Sequence, residues 1–414
     1  MKKTDSPTAI VLGGTTPHIE LIRQLQARGY FVVLADYLEN PPARFAADAH
    51  VQASTMDQEA ILELARSRNA SLVISACVDQ ANITACYVAE KMGLTRPYSY
   101  QTALDITNKG VMKKVMMEHG IPTTRYYYLE KDESLPVFGL RFPVMVKPAD
   151  SCAASGVKKA TNGEELENFL AGARKVSRTG RVVVEEFFSG REVSAYCFVQ
   201  DGRANVIMVS ERLSVIEGEG QVLKCYATVT PPSISSAAFQ KLEEASTEIA
   251  RAFGLENTPL HVQAIIDGDM INVIEFAPRV GGGVSYQTIK DNTGFDIIDA
   301  TIDSYLQKRV LLSFHEPVFC CAVNLVYGKP GIFDHLEGAK ELIEDGVIDS
   351  LHYHKTRGMA VTDDRASAGR IAAFVVKGAT RGEVAQKVCV AMERLEAFSA
   401  EGEPMMRKDL FFRQ

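Results

Sequence analysis

Strand–helix alternation over the first hundred-odd residues, Val-, Phe- and Tyr-rich strands beyond residue 120, and a glycine-interrupted unit after about residue 312 predict a chain that is α/β at its start and α+β thereafter. The expected architecture is a Rossmann-like N-terminal lobe over 1–118, a two-lobed central domain over 119–312 and a small C-terminal α+β lobe over 313–414. The central domain divides into a small lobe over about 119–188 and a large lobe over about 189–312. At roughly one domain per 150 residues, the length of 414 allows two to four such units.

The N-terminal elements follow from apolar periodicity. Residues 9–12 form a short apolar run ending at Gly13-Gly14, and Ile19, Leu21, Ile22 and Leu25 then share one helical face that stops at Gly29. Strands are expected at 30–34 and 72–75, and helices at 60–64 and 81–92, the last ending at Gly93. Continuously apolar strands alternating with helices imply a parallel sheet covered on both faces. Gly13-Gly14 lacks the spacing of a dinucleotide fingerprint, so it fits a tight strand-to-helix turn at least as well as a nucleotide contact.

Residues 112–119 read as a helix broken at Gly120-Ile121-Pro122. Strands follow at 142–147, 181–188, 193–199 and 204–209, then a helix at 237–253. Strands 261–266 and 271–276 flank Asp267-Gly268-Asp269, a hairpin signal. The tail is expected to carry a strand at 319–327 and a long helix at 381–398.

Composition narrows the function. Hydrophobic residues make up 46% and charged residues 23%, which is ordinary for a globular protein. A net charge of −7 argues against a nucleic-acid or anionic-membrane surface. No run approaches the ~18 apolar residues of a membrane span, and the lysine-led start has no apolar stretch of signal length, so a cytoplasmic protein is expected. None of the eight cysteines forms a C-x-x-C pair, which fits reduced, buried thiols. His352 and His354 would share one strand face, but nothing nearby completes a metal site.

Five segments carry the chemistry. The first holds Asn108-Lys109, and the second ends a strand at Lys147-Pro148. A charge in the apolar, β-branched strand around Lys147 is costly without a partner, and a phosphate would supply one; Lys109 would add a second cation. The third segment runs Ser151-Cys152-Ala153-Ala154-Ser155-Gly156. In the fourth, Glu185, Glu186, Phe187, Phe188 and Glu192 form an extended stretch that can offer backbone groups to an adenine edge and carboxylates to amino and ribose donors. In the fifth, the hairpin brings Gln263 and Glu275 together, a donor set that suits magnesium. Arg279 follows, fitted to a phosphoryl or carboxylate group, with glycines at 281–283 that allow close approach of a ligand.

Together these segments resemble the ATP-grasp superfamily, in order and spacing, from about residue 8 to 310. The family's lysine before a helix ending in G-I-P-T matches Lys109, and its V-K-P lysine matches Lys147. Its E-E-F…G-x-E stretch matches Glu185, Glu186, Phe187, Gly190 and Glu192; its E-x-N-P-R matches Glu275, Pro278 and Arg279. The resemblance implies two lobes clamping ATP, with Ser151, Ser155 and Gly156 in a phosphate loop and Mg2+ (Mn2+ as substitute) on Gln263 and Glu275. It implies a carboxylate activated as an acyl phosphate and captured by an amine, with Lys147 and Arg279 catalytic, and a homodimer by family habit. The tail is similar to the C-terminal lobe of the branch holding biotin carboxylases, formyl-phosphate transformylases and L-amino acid ligases.

Arg212, Glu219, Arg279, Gly282 and Gly283 are the expected substrate contacts, although an ordinary surface charge explains Arg212 and Glu219 as well. His261 fits a packed strand-end histidine better than a base. Three departures stand out: Ala153 and Ala154 in the phosphate loop, and Ala277 where the metal motif has asparagine. They keep open a nucleotide-binding protein without turnover, beside a formyl-phosphate, carboxyphosphate or carbamoyl-phosphate type of transfer as the other alternative.

Overall fold

The computed structural model describes residues 6–134, 136, 139–150, 156–217, 222–363 and 367–411. Four parallel strands open the chain: β1 (Thr8–Leu12), β2 (Phe31–Asp36), β3 (Ala49–Gln52) and β4 (Ala70–Ile74), in the order β3-β2-β1-β4. Every residue of β1 is buried, as expected of a strand covered on both faces. Helices α1 (Thr16–Ala27), α2 (Gln58–Ser67) and α3 (Asp79–Met92) supply that cover. The helix α3 stops where Gly93 takes a left-handed conformation, at φ 66°. Helices α4 (Tyr100–Thr107) and α5 (Lys109–Glu118) abut at Asn108, whose side chain caps α5 by accepting from Gly110 N at 3.0 Å and Val111 N at 3.3 Å.

A four-stranded antiparallel sheet follows, made of β5 (Tyr126–Leu129), β6 (Val144–Pro148), β7 (Lys158–Ala160) and β8 (Val182–Glu186) in the order β5-β8-β6-β7. Its helix α6 (Gly163–Val176) packs Leu166, Leu170 and Ala173 against Val144, Val146, Val182 and Val184. The next strands are β9 (Arg191–Gln200), β10 (Arg203–Glu217), β11 (Val222–Thr230), β12 (Thr258–Asp267) and β13 (Met270–Ala277), with α7 (Ser236–Ala252) between β11 and β12. Helices α8 (Ser285–Thr293) and α9 (Ile297–Tyr305) lead to the tail: β14 (Cys320–Tyr327), β15 (Gly331–Glu337), α10 (Ala339–Glu344), β16 (Ser350–Tyr353), β17 (Ala360–Val361), β18 (Arg370–Gly378), α11 (Arg381–Arg394) and β19 (Glu396–Ser399).

The large sheet does not end with the central segment. Its eight strands run β13-β12-β9-β10-β11-β14-β18-β16, so three tail strands extend the sheet begun by β9–β13. The connection between α9 and β14 spans the expected 312/313 boundary, yet the hydrogen-bonded ladder crosses it. The strand expected at 204–209 is longer, since it pairs with β9 along its first half and with β11 along its second. The helix expected to reach residue 398 stops at Arg394. Leu395 and Ala397 alternate into the tail core with strand period, and β19 pairs with β15.

The N-terminal lobe is fastened to the large lobe by Arg28, whose guanidinium reaches Asp299 and Asp303 at 2.6 Å each. His352 and His354 do not form a pair: His352 meets Ser350 Oγ at 3.0 Å, and His354 lies past the end of β16 beside Thr16 Oγ1 at 3.4 Å. Seven cysteines are described and all are free thiols; Cys152 lies outside the described residues. Among the described residues no helix is long and apolar enough to cross a membrane.

His18 ties α1 to the first sheet. It is fully buried, accepts from Ala76 N through Nε2 at 3.3 Å, and bonds Thr15 Oγ1 through Nδ1 at 2.9 Å. Burial pushes its pKa down from 6.5 to about 4. The unfolded chain therefore takes up a proton that folded His18 refuses between those values. Stability should hold above about pH 6.5 and fall toward pH 4, by on the order of 3 kcal/mol for one such histidine. Urea midpoints across this range should show that loss, and His18→Gln should flatten the slope even where it lowers the plateau.

Candidate active site

The two antiparallel sheets and the C-terminal end of the first sheet enclose one cleft of about 1360 Å³. Most of the expected site residues meet there. Lys109 opens α5, one residue after its cap, and its ammonium lies 3.9 Å from Glu275 Oε2. Gln263 and Glu275 are direct cross-strand partners in the β12–β13 hairpin, which turns at Gly268 with φ 56°. His261 faces Ala277 two residues along the same ladder. Burial and the charges of Arg279 and Arg212 hold His261 well below the usual histidine range, so it is a neutral imidazole stacked on Tyr196 at 5.2 Å.

Lys147 is buried in the small sheet, as its apolar strand required, but its partner is a protein carboxylate. It forms an ion pair with Glu185 Oε1, while Lys113 reaches Glu185 Oε2 at 2.5 Å. Thr124 Oγ1 also donates to Oε2, at 3.2 Å. Burial alone would raise the Glu185 pKa, but the two ammonium groups win and hold it at about 2. Both oxygens are engaged, yet Glu185 still lines the cleft, so a ribose or adenine donor there would share the carboxylate with the two lysines. The amides of Glu186 and Phe187 are also used, donating to Arg125 O and Pro143 O at 2.9 Å each. Pairing with the small sheet ends there, and Phe188 continues into the cleft wall. Lys159 sits over the Phe187 ring at 3.7 Å, and the Glu186 carboxylate accepts from Arg141 N at 3.1 Å.

Glu192 and Arg212 form an ion pair across β9 and β10, at 2.7 Å, and both line the cleft. Arg279 is gripped from the N-terminal lobe. Its Nε and Nη2 donate to the two oxygens of Asp79 at 2.7 and 3.0 Å, a bidentate fork. Burial works against its charge, but Asp79 more than compensates and raises its pKa. Val280 N donates to Ala76 O in the β4–α3 connection, and Tyr98 Oη in the α3–α4 link donates to Pro278 O, so the segment after β13 is bound to the N-terminal lobe at two further points. Gly282 and Gly283 line the cleft just before α8. Gly156, at φ 72°, packs against Pro148 and is not among the residues lining the cleft. Ser151, Ser155 and Glu219, with Ala153 and Ala154, lie outside the described residues.

Asp79, Lys113 and Arg370 are cleft residues that sequence reasoning did not single out. Asp79 had a signal, since an acid at the start of the helix that follows a parallel strand sits at the end of the sheet where α/β folds place ligands. Lys113 had another, because two lysines at i and i+4 repel unless each has a partner. Arg370 had none, since only the strand order places the start of β18 beside the cleft. The Gly13-Gly14 turn also reaches it, where Gly14 N donates to Asp36 Oδ2 at 2.7 Å. For a divalent ion, the described residues offer no set of three His, Cys, Asp or Glu. Ala277 adds no oxygen, so Gln263 and Glu275 fit a magnesium ion that keeps water and phosphate ligands.

Two sheets thus face each other across the cleft, one holding a buried strand lysine and the other an acid–amide hairpin. Residues 140–288 match the ATP-grasp domain, and the chain carries that domain. The formate-dependent phosphoribosylglycinamide formyltransferase of Synechococcus sp. (strain RCC307) is 31% identical over 193 residues, or 45% of this chain and 49% of that one. The matched stretch thus spans about half the length of that relative. The L-amino acid ligase from Bacillus licheniformis superposes with a TM-score of 0.77 at 18% identity, over 96% of this chain and 100% of that one. The biotin carboxylase domain dimer of Hydrogenobacter thermophilus 2-oxoglutarate carboxylase, solved with MgADP and bicarbonate, gives 0.76 at 16% identity, over 97% and 91%. These structural likenesses establish a shared fold along nearly the whole chain.

Gly190 separates β8 from β9 at φ 150°, and a methyl group there would strike the Ile266 carbonyl. Gly190→Ala should cost roughly 1–3 kcal/mol and shift the neighbouring Phe187-Phe188 stretch. A lowered melting temperature would show the first effect, and faster amide hydrogen exchange around Phe187 and Phe188 the second.

Proposed function

We propose that this protein is an ATP-dependent ligase that activates a small-molecule carboxylate as an acyl phosphate and joins it to an amine. One observation carries the proposal: Lys109, Lys147, the Gln263–Glu275 hairpin and the Arg279 fork converge on a single cleft between two sheets. Lys109 and Lys147 suit the phosphates as point charges, and Ser151, Ser155 and Gly156 join them on the sequence pattern. Bound at Gln263 and Glu275, Mg2+ would neutralise phosphate charge, and Mn2+ would suit the same oxygen donors. Phe187, Phe188 and Glu186 border the adenine end, and Glu192 offers its second oxygen to the ribose. Arg279, with Gly282 and Gly283 beside it, faces the reacting carboxylate, while Arg212 and Glu219 serve the substrate end. Catalysis then consists of positioning and charge neutralisation, with the amine attacking the acyl carbon and phosphate leaving.

Seven free thiols suit a reducing compartment, so we place the protein in the cytoplasm. A homodimer is supported by the dimeric biotin carboxylase domain that shares the fold.

The test is phosphate release from ATP with pools of small carboxylates and amines. Release that requires both a carboxylate and an amine establishes the ligase. Release with a carboxylate alone points instead to a formyl-phosphate or carboxyphosphate type of transfer, and ATP binding without release under any pool points to a protein that does not turn over. Lys147→Ala and Glu275→Ala should each lower release by roughly two orders of magnitude or more with unchanged circular dichroism. Wild-type turnover in either variant removes that residue from the site.

A further inference from the structure

Helix α5 presents two ammonium groups from one face, four residues apart. Lys109 points to Glu275 on the large sheet, and Lys113 to Glu185 on the small one. Lys113 is 3% exposed, and its Nζ also donates to Thr123 Oγ1 at 2.6 Å and Thr124 Oγ1 at 3.3 Å. Thr123 in turn donates to the carbonyl of Val273, on the strand that carries Glu275. One hydrogen-bonded chain therefore runs from Lys147 through Glu185, Lys113 and Thr123 to β13.

The charges in this chain do not balance. Glu185 is one carboxylate shared by two ammonium groups, each almost entirely removed from water. A buried surplus of one positive charge is costly unless an anion approaches, and Lys147 lines the cleft where one can. Without Lys113, Lys147 and Glu185 would be a neutral pair, with the lysine charge spent on its partner.

We propose that Lys113 is a positioning residue for polyphosphate binding: by occupying one oxygen of Glu185 it orients Lys147 and leaves the cluster with the charge that attracts the nucleotide's phosphates. The inference rests on the cleft being an ATP site. It differs from a structural role in what it predicts about ligands, because a lost surplus charge weakens ATP and leaves adenosine, which carries no phosphate, untouched.

The experiment is calorimetric titration of the full chain with ATP and, separately, adenosine, both in excess Mg2+. Lys113→Met should weaken ATP by about tenfold or more and leave adenosine unchanged. Lys113→Arg, which keeps the charge, should retain ATP binding. Lys113→Gln keeps a hydrogen-bonding head group without the charge, and carries the same expectation as the Met variant should that one fail to fold. Equal weakening of both ligands, unchanged ATP binding in the neutral variants, or an Arg variant as weak as they are would each overturn the inference. Lys147→Ala is the control: if it too binds ATP normally, the nucleotide site itself is wrong, whereas if it alone loses ATP, only the role of Lys113 fails.

Discussion

A single buried carboxylate holds the small sheet, the helix before it and the cleft in register. Glu185 lies on β8, accepts from Lys147 on the neighbouring β6 and from Lys113 on α5, and is backed by Thr124 on the link between α5 and β5. Removing these groups from water costs several kcal/mol per ion, so the cluster persists only because each charge has a close partner of the opposite sign. Loss of the carboxylate would leave two ammonium groups facing each other in a dry site. The same cluster that fixes the geometry thus decides how much positive charge the cleft presents.

The cleft is assembled from three parts of the chain, each with its own means of rigidity. The hairpin β12–β13 sets Gln263 opposite Glu275 by register alone. The segment after it has no ladder of its own, but the Asp79 fork, the Ala76 carbonyl and the Tyr98 hydroxyl hold Arg279 and its neighbours in place. Functional side chains on strands and helix ends, braced by a second layer of hydrogen bonds, are held closely enough for chemistry that depends on position.

The parts legible in the sequence are those with a local cause. The buried β1, the glycine stop of α3, the Gln263–Glu275 pairing across Asp267-Gly268-Asp269 and the convergence of Lys109 with Lys147 all follow from period, turn residues or motif spacing. What escaped has a tertiary cause. The pairing of β10 with two neighbours extends it beyond its apolar run, and β11 carries Lys224 among its buried positions, so its pattern does not announce a strand. The burial of Glu185 had no local sign because the two lysines that neutralise it lie 38 and 72 residues away in sequence. The entry of Arg370 into the cleft depends on strand order, which no local pattern encodes.

The eight-stranded sheet gives the last hundred residues a role beyond that of an appended module. Because β14 is hydrogen-bonded to β11, the tail closes what would otherwise be an open edge of the large lobe's sheet. A chain cut after α9 would expose a row of unpaired amides and carbonyls along β11, the geometry on which other chains add strands. The tail therefore acts as a guard against self-association as well as a wall of the cleft. Evolution or engineering can vary its loops freely, but can exchange it only for another segment that pairs with β11 in the same register.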